Sequence, residues 1–416
     1  MTPAHPNPPQ PADFRIVDLF AGPGGLDIAA TIMGVESVGV EWDDATRATR
    51  TAAQLLTTEE KDVAALGPCD AQVKGANVLT GGPPCQTFSV AGNREGHKAL
   101  EDVQRLATRL VRPNDLVTFE TVWKQVKAET DALSDNRTGL VLQPLRWIME
   151  AKLRRKEPYK VVVLEQVPTV LPVWKHYAEL LKTIGYAAAA HVLHAETFGV
   201  PQTRRRAVLI AQYAPGNEDM DVEFPRPTHQ RYRPGVERLP EQGAADRHPQ
   251  QETLDQGRQE VLFTDPDSTT PITRWTAMQD VLHDRPRDFE VVSNYGSGGD
   301  PKKRGRRTSE EPAATVTGKI RRNRVFLLKE TKSGTKEIGE ELERLTAKEA
   351  GLLQSFPAAY PWRSTDVAQQ IGNAIPPRLS LHILSCALGF GPPEGKLFEA
   401  LEEWQPPAVD EPAEST

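Results

Sequence analysis

One cysteine stands out because of its neighbours. Gly81-Gly82-Pro83-Pro84-Cys85-Gln86-Thr87-Phe88 places a thiol directly behind two prolines, just after an apolar run. A thiol reacts as its thiolate, and two residues of fixed φ hold the sulfur in place, so Cys85 is the first candidate nucleophile. A second constellation, Asp18-Leu19-Phe20-Ala21-Gly22-Pro23-Gly24-Gly25, joins a strand-like run to a helical one through three glycines. Such a turn lets backbone approach a ligand where side chains would block it. Glu41 follows Gly24 by 17 residues, near the spacing at which a carboxylate accepts hydrogen bonds from a ribose. Together they suggest an adenosine-bearing cofactor. Trp42 then either stacks on a purine or is an ordinary core tryptophan.

Two further groups belong with these. Glu165 ends the apolar run Val161-Val162-Val163-Leu164, where a carboxylate is costly unless partnered or protonated. Gln202-Thr203-Arg204-Arg205-Arg206 runs into another apolar stretch, and strand alternation sends Arg204 and Arg206 to one face and Arg205 to the other. Two guanidiniums on one face suit a carboxylate or an anionic substrate, with a solvated strand edge as the competing reading.

The elements that must carry these residues alternate between short β-branched runs and helical stretches, the pattern of a parallel sheet covered by helices. Strands are expected at 15–20, 37–41, 77–80, 161–165 and 206–211, with a helix from about Leu26. After about Gln212 prolines, glycines and mixed charge dominate, which predicts a second, irregular domain. A helical pattern returns at Thr346, which stands at capping-box spacing from Glu349, and a last helix begins near Pro377. The acidic, proline-bearing tail from about 406 is expected to be disordered.

Size and composition narrow the class. The 416 residues, 38% hydrophobic and 26% charged, describe a soluble globular chain large enough for two or more domains. No apolar stretch approaches the roughly 20 residues that span a bilayer. Met1-Thr2-Pro3-Ala4-His5-Pro6 lacks the order of a secretory signal, so a cytoplasmic location is expected. Cys69, Cys85 and Cys386 are too few and scattered for a disulfide framework, and no Cys/His spacing suggests zinc or another metal. The net charge of -7 hides a local excess of the opposite sign. Nine cations, Lys302, Lys303, Arg304, Arg306, Arg307, Lys319, Arg321, Arg322 and Arg324, lie close together against two glutamates. Such a stretch is either a solvated charged loop or a surface for phosphates.

Six motifs in order now converge: 18–25, 81–89, 165–167, 202–206, 344–357 and 370–376. In these the chain resembles the DNA (cytosine-5) methyltransferases, over roughly residues 14–212 and 344–385. The resemblance implies a Rossmann-like S-adenosylmethionine-dependent methyltransferase α/β sheet with a smaller target-recognition domain. The expected division is a catalytic and cofactor-binding domain at 1–212, the recognition domain at 213–340, and a segment at 341–416 that folds back to complete the catalytic domain. Asn373 would thereby reach the cofactor pocket.

The same resemblance assigns roles. Cys85 matches the nucleophile that adds to C6 of a flipped-out cytosine, making C5 able to accept a methyl group. Loss of the C5 proton and elimination of Cys85 then release 5-methylcytosine. Glu165 matches the acid at the N3 and amino edge, and Arg204 and Arg206 the pair that holds the base and orients that glutamate. For S-adenosylmethionine, and its product S-adenosylhomocysteine, the matching positions are Phe20, Ala21, Gly22, Gly24, Gly25, Leu26, Glu41, Trp42, Asp62, Val63, Pro83, Leu140, Asn373 and Ala374. Gln86, Ser89 and Arg94 lie in or beside the segment 89–96, which resembles the family's mobile loop. With Lys302, Lys303, Arg304, Arg306 and Arg307 they are the expected contacts to double-stranded DNA. The expectation is a monomer that acts without a metal, on its own or beside a restriction endonuclease. An RNA-methylating relative and an inactive DNA-binding relative are the alternatives. Two departures stand out: Gln166 replaces the family's usual asparagine, and 38 residues separate Gly96 from Asp135.

Overall fold

The computed structural model describes residues 8–84, 94–132, 137–240, 272–296 and 304–407. In the first part of the chain, β1 (Arg15–Leu19), α1 (Gly25–Ile32), β2 (Glu36–Val40), α2 (Asp44–Ala52) and β3 (Val78–Gly81) alternate. Four helices follow, α3 (Arg94–Val111), α4 (Leu116–Asp131), α5 (Arg137–Leu140) and α6 (Gln143–Glu150), and then β4 (Val161–Gln166), α7 (Leu171–Lys182) and β5 (Tyr186–His194). The short β6 (Gln202–Thr203) leads into β7 (Arg205–Tyr213). The main sheet has six strands in the order β2-β1-β3-β4-β7-β5.

Strands β2, β1, β3 and β4 are parallel, whereas β7 runs antiparallel to both β4 and β5. The sheet is thus mixed rather than parallel throughout, and the reversal has a use. Because β7 starts where β4 ends, Arg206 enters the sheet beside Glu165. The strands are apolar on both faces because each face meets its own layer. Val162 and Leu164 of β4 join one core with Trp147, Trp174 and Tyr177, whereas Val161 and Val163 join the opposite core with Ile28. The same alternation divides Leu209 from Val208 and Ile210 in β7.

The region expected to be irregular holds a second sheet. Strands β8 (Phe289–Gly296), β9 (Arg304–Thr308), β11 (Arg324–Glu330) and β12 (Lys336–Leu342) form an antiparallel sheet in the order β12-β11-β8-β9. The two-residue β10 (Ala313–Ala314) pairs instead with β6. The edge strands β9 and β12 are rich in charge, a common protection for exposed edges that also hides their β character in the sequence. Four helices close the chain: α8 (Ala347–Leu353), α9 (Val367–Asn373), α10 (Pro377–Ala387) and α11 (Gly395–Glu402). The capping box at Thr346 and Glu349 is present. The segment does return to the first sheet, where Leu381, Ile383 and Leu384 of α10 share a core with Ile28 and Ala29 of α1.

Buried beside that core is a basic triad with a measurable consequence. The His382 ring packs on Phe198 and Phe398, and Arg378 lies over Phe398, donates to the Phe198 carbonyl and pairs with Glu402. Burial, then the Arg378 charge, lowers the pKa of His229 to about 4 and that of His382 to about 3. Both are neutral in the fold but titrate near 6.5 when unfolded. The stability this gives is full above pH 6.5 and is lost as pH falls toward 4, by about 1.4 kcal/mol per pH unit for each histidine. In thermal unfolding between pH 7.5 and 5, His382→Phe should lose less stability than wild type as pH falls, by up to about 1.4 kcal/mol per pH unit.

Candidate active site

The candidate residues collect where the parallel strands end, the usual ligand-binding edge of such a sheet. Leaving β1, Phe20 adopts a left-handed φ of 60°, uncommon for an aromatic residue, and the chain turns at once toward β2. The Ala21 N–H donates to the Val40 carbonyl at 3.1 Å. Glu41 closes this turn: Oε2 accepts from the Gly22 N–H and Oε1 from the Asp43 N–H, each at 2.8 Å. Burial pushes the Glu41 pKa up, opposed by those two N–H groups and by Arg50. A Cβ on Gly22 would meet nothing within 4 Å, so one side of the loop is open. Trp42 is 68% exposed, which rules out the core-tryptophan reading. An open glycine loop, a carboxylate and an exposed indole together fit an adenosine-bearing group.

Between this loop and β3, Asp18 is fully buried and accepts from the Thr80 hydroxyl at 2.6 Å. Burial, reinforced by Asp27, pushes its pKa up to about 8, so the acid is protonated at neutral pH. The Gly82 N–H donates to the Leu19 carbonyl at 3.2 Å, tying the cysteine loop to β1.

Glu165 sits directly against that loop. A Cβ on Gly82 would lie 3.5 Å from Glu165 Oε2, in van der Waals contact with the carboxylate. Arg206 Nε forms an ion pair with Glu165 Oε1, so of the partners open to the arginine run the carboxylate is the one it meets. Gln166 donates from Nε2 to the Pro83 carbonyl at 2.6 Å, and its Oε1 accepts from the Val167 N–H at 2.5 Å. The longer side chain therefore steadies the loop two residues before Cys85. Cys85 itself, Gln86 and Ser89 lie outside the described residues.

Arg204 departs from expectation. It is completely buried, yet its guanidinium donates to the carbonyls of Val316 (3.0 Å), Gly372 (2.8 Å) and Ala374 (2.9 Å) rather than to Glu165. Burial and the neighbouring Arg206 charge drive its pKa well down. Beside it, Gln202 donates to the Leu353 carbonyl at 2.8 Å and accepts from the Val316 N–H at 2.9 Å. The pair joins the first sheet, the 316 loop and the C-terminal segment, so Arg204 is a structural joint.

The other expected cofactor positions lie on several different elements. Asp62 and Val63 form a turn held from behind by Arg146, which donates to the Val63 carbonyl at 2.6 Å, and by the Trp147 indole at 3.1 Å. Leu26 is buried in α1, and Leu140 ends α5, which packs on α3 and α4. Asn373 is exposed and accepts from Gln369 at 2.8 Å. It is the next residues that reach the loop, since a Cβ on Gly25 would clash with the Ile375 carbonyl.

Of the expected DNA contacts, Arg306 is engaged by Glu290 through two hydrogen bonds of 3.0 and 2.6 Å, and Arg307 lies over the Tyr232 ring. The basic run is thus partly neutralised within the protein. Arg304 opens the edge strand β9. Lys302, Lys303 and the Arg94 side chain are outside the described residues, as are Asp135 and Asn136. Among the described residues no helix is long and apolar enough to cross a membrane, and no group of three His, Cys, Asp or Glu side chains could hold a metal ion.

Fold and site together define an α/β enzyme of the Rossmann-like methyltransferase class. The profile of the C-5 cytosine-specific DNA methylase family matches residues 14–112 and 128–386, and the chain belongs to that family. It is 26% identical over 384 residues to the type II methyltransferase M1.HphI of Haemophilus parahaemolyticus, covering 89% of this chain and 86% of the relative. It is 24% identical over 378 residues to the type II methyltransferase M.MthTI of Methanothermobacter thermautotrophicus, covering 88% and 95%. Among solved structures, the fold resembles S. pombe Dnmt2 (TM-score 0.50, 14% identity, 90% of this chain and 98% of that one). A Spodoptera frugiperda DNMT2 mutant is similar (TM-score 0.52, 14% identity, 90% and 99%).

Proposed function

We propose that this enzyme methylates C5 of a flipped-out cytosine within a specific sequence of double-stranded DNA, using S-adenosylmethionine and a covalent Cys85 adduct. The observation that carries the reading is the meeting of β3 and β4, where Glu165, Arg206 and Gln166 converge on Gly82-Pro83. Phe20, Gly22, Glu41 and Trp42 would hold the cofactor, which when bound supplies an electrophilic methyl group. Cys85 supplies the sulfur that adds to C6. Glu165, fixed by Arg206, engages the N3 and amino edge and stabilises the charge that develops as the sulfur adds. A base inside a stacked duplex cannot reach these groups, hence the extrusion. The unit at 213–340 would select the sequence, with phosphates taken by its arginines.

Purified enzyme incubated with tritiated cofactor should label duplex DNA but not transfer RNA, and should form a denaturation-resistant adduct with 5-fluorocytosine DNA. Label in RNA alone would overturn the substrate, and cofactor binding without an adduct would overturn the mechanism. Bisulfite sequencing of DNA from expressing cells would define the site and bear on a restriction-modification or epigenetic-marking role. Gln166→Ala should lower kcat roughly tenfold with KM for the cofactor unchanged, because it frees the Pro83 carbonyl near the nucleophile without touching the glycine loop. Single-turnover methylation measures it.

A further inference from the structure

Beneath the glycine loop lies a charged pair that no role in methyl transfer explains at first sight. Arg50, near the C-terminus of α2, and Asp27, in α1, are both essentially inaccessible, and their side chains meet at 2.7 Å. Two buried charges are worth little as a source of stability, since desolvation offsets most of their attraction. Their value has to come from what they hold.

Arg50 holds a great deal. Its Nη1 donates to Asp27 and, at 3.3 Å, to the Gly22 carbonyl; Nη2 donates to the Leu56 carbonyl at 3.0 Å; and Nε donates to the Thr57 hydroxyl at 2.9 Å. Asp27 is in turn oriented by the Ser37 hydroxyl at 2.7 Å. Space for the guanidinium is provided by Gly39 in β2, where a Cβ would clash with Nη2. The next carbonyl of the loop, that of Pro23, accepts from the Tyr360 hydroxyl, which reaches in from the C-terminal segment. Gly22 is also fixed on its other side, where its N–H is taken by Glu41. Consecutive peptide groups of one loop are therefore held from three directions, by Glu41, Arg50 and Tyr360.

We infer that Arg50, fixed by Asp27 and assisted by Tyr360, is a positioning residue for the cofactor. Arg50 holds the Gly22 carbonyl and Tyr360 the Pro23 carbonyl, so that the loop presents its open face in one conformation. The inference rests on the proposed role of this loop in S-adenosylmethionine binding. Arg50 touches no ligand in this scheme and acts only through the loop. The role calls for a rigid, forked donor: a lysine retains the charge opposite Asp27 but cannot also serve Gly22, Leu56 and Thr57.

The test uses the full-length enzyme with Arg50→Lys, Tyr360→Phe and, as a control, Tyr177→Phe. The control removes a buried hydroxyl that donates to the Val141 carbonyl at 3.0 Å, in the core on the other side of the sheet. Affinity for S-adenosylhomocysteine is measured by calorimetry, and KM for S-adenosylmethionine and kcat by methyl transfer. Arg50→Lys is expected to weaken both affinity and KM roughly tenfold and Tyr360→Phe roughly fivefold, with kcat within about twofold, while Tyr177→Phe leaves all three unchanged. Should Arg50→Lys fail to fold, Tyr360→Phe decides. Affinities within twofold of wild type for the loop variants, or an equal loss in the control, would overturn the inference. Wild-type enzyme that binds no S-adenosylhomocysteine would overturn the cofactor reading as well, and is told apart by the wild-type titration.

Discussion

Replacing Cys85 with alanine is expected to remove methyl transfer altogether, a loss of at least about 10⁴-fold, while affinity for S-adenosylhomocysteine stays within about threefold of wild type. The separation follows from the architecture. The proposed cofactor loop is held by Glu41, Arg50 and Tyr360, which belong to β2's end, α2 and the C-terminal segment. The cysteine loop is held by Gln166 and by the Leu19 carbonyl. The two loops are thus held by different residues. Tritium transfer and calorimetry on the same preparation measure the two quantities, and an equal loss of both would show that the cysteine loop is mainly structural.

Much of the site can be read from sequence because its geometry is local. A strand end followed by glycines fixes where Gly22 stands, and strand alternation puts Arg206 on a buried face, from which it reaches Glu165. Arg204 shows where such reasoning stops. Alternation correctly puts it on the buried face, but what lies across that face is Val316, Gly372 and Ala374, more than a hundred residues away in sequence. Arg50 and Asp27 escaped for the same reason: each looks like an ordinary polar position of a short helix until α1 and α2 are packed together. Strand β5 was invisible because its run of alanines carries little β preference, and β9 and β12 because charge masks their alternation. Gln166 is instructive in the opposite direction. One added methylene looks like a loss of geometry, yet the amide still reaches the Pro83 carbonyl.

Arg206→Ala should be the most damaging change at the site after loss of the cysteine, and comparison with Arg206→Lys should reveal why. The variant leaves Glu165, whose side chain is only 13% exposed, without its cation at the end of a buried strand. Removing one partner of such a pair costs about 3–5 kcal/mol, because the remaining charge is stranded. Arg206→Ala should therefore melt well below wild type. Methyl transfer should fall about 10²- to 10³-fold, since Glu165 loses its orientation as well as its charge partner. Arg206→Lys should recover most of the stability and little of the activity, because an ammonium neutralises the carboxylate without aligning it. An Arg206→Ala enzyme that melts and methylates like wild type would mean that Arg206 does not fix Glu165, and the reading of the pair as the base-engaging unit would fall with it.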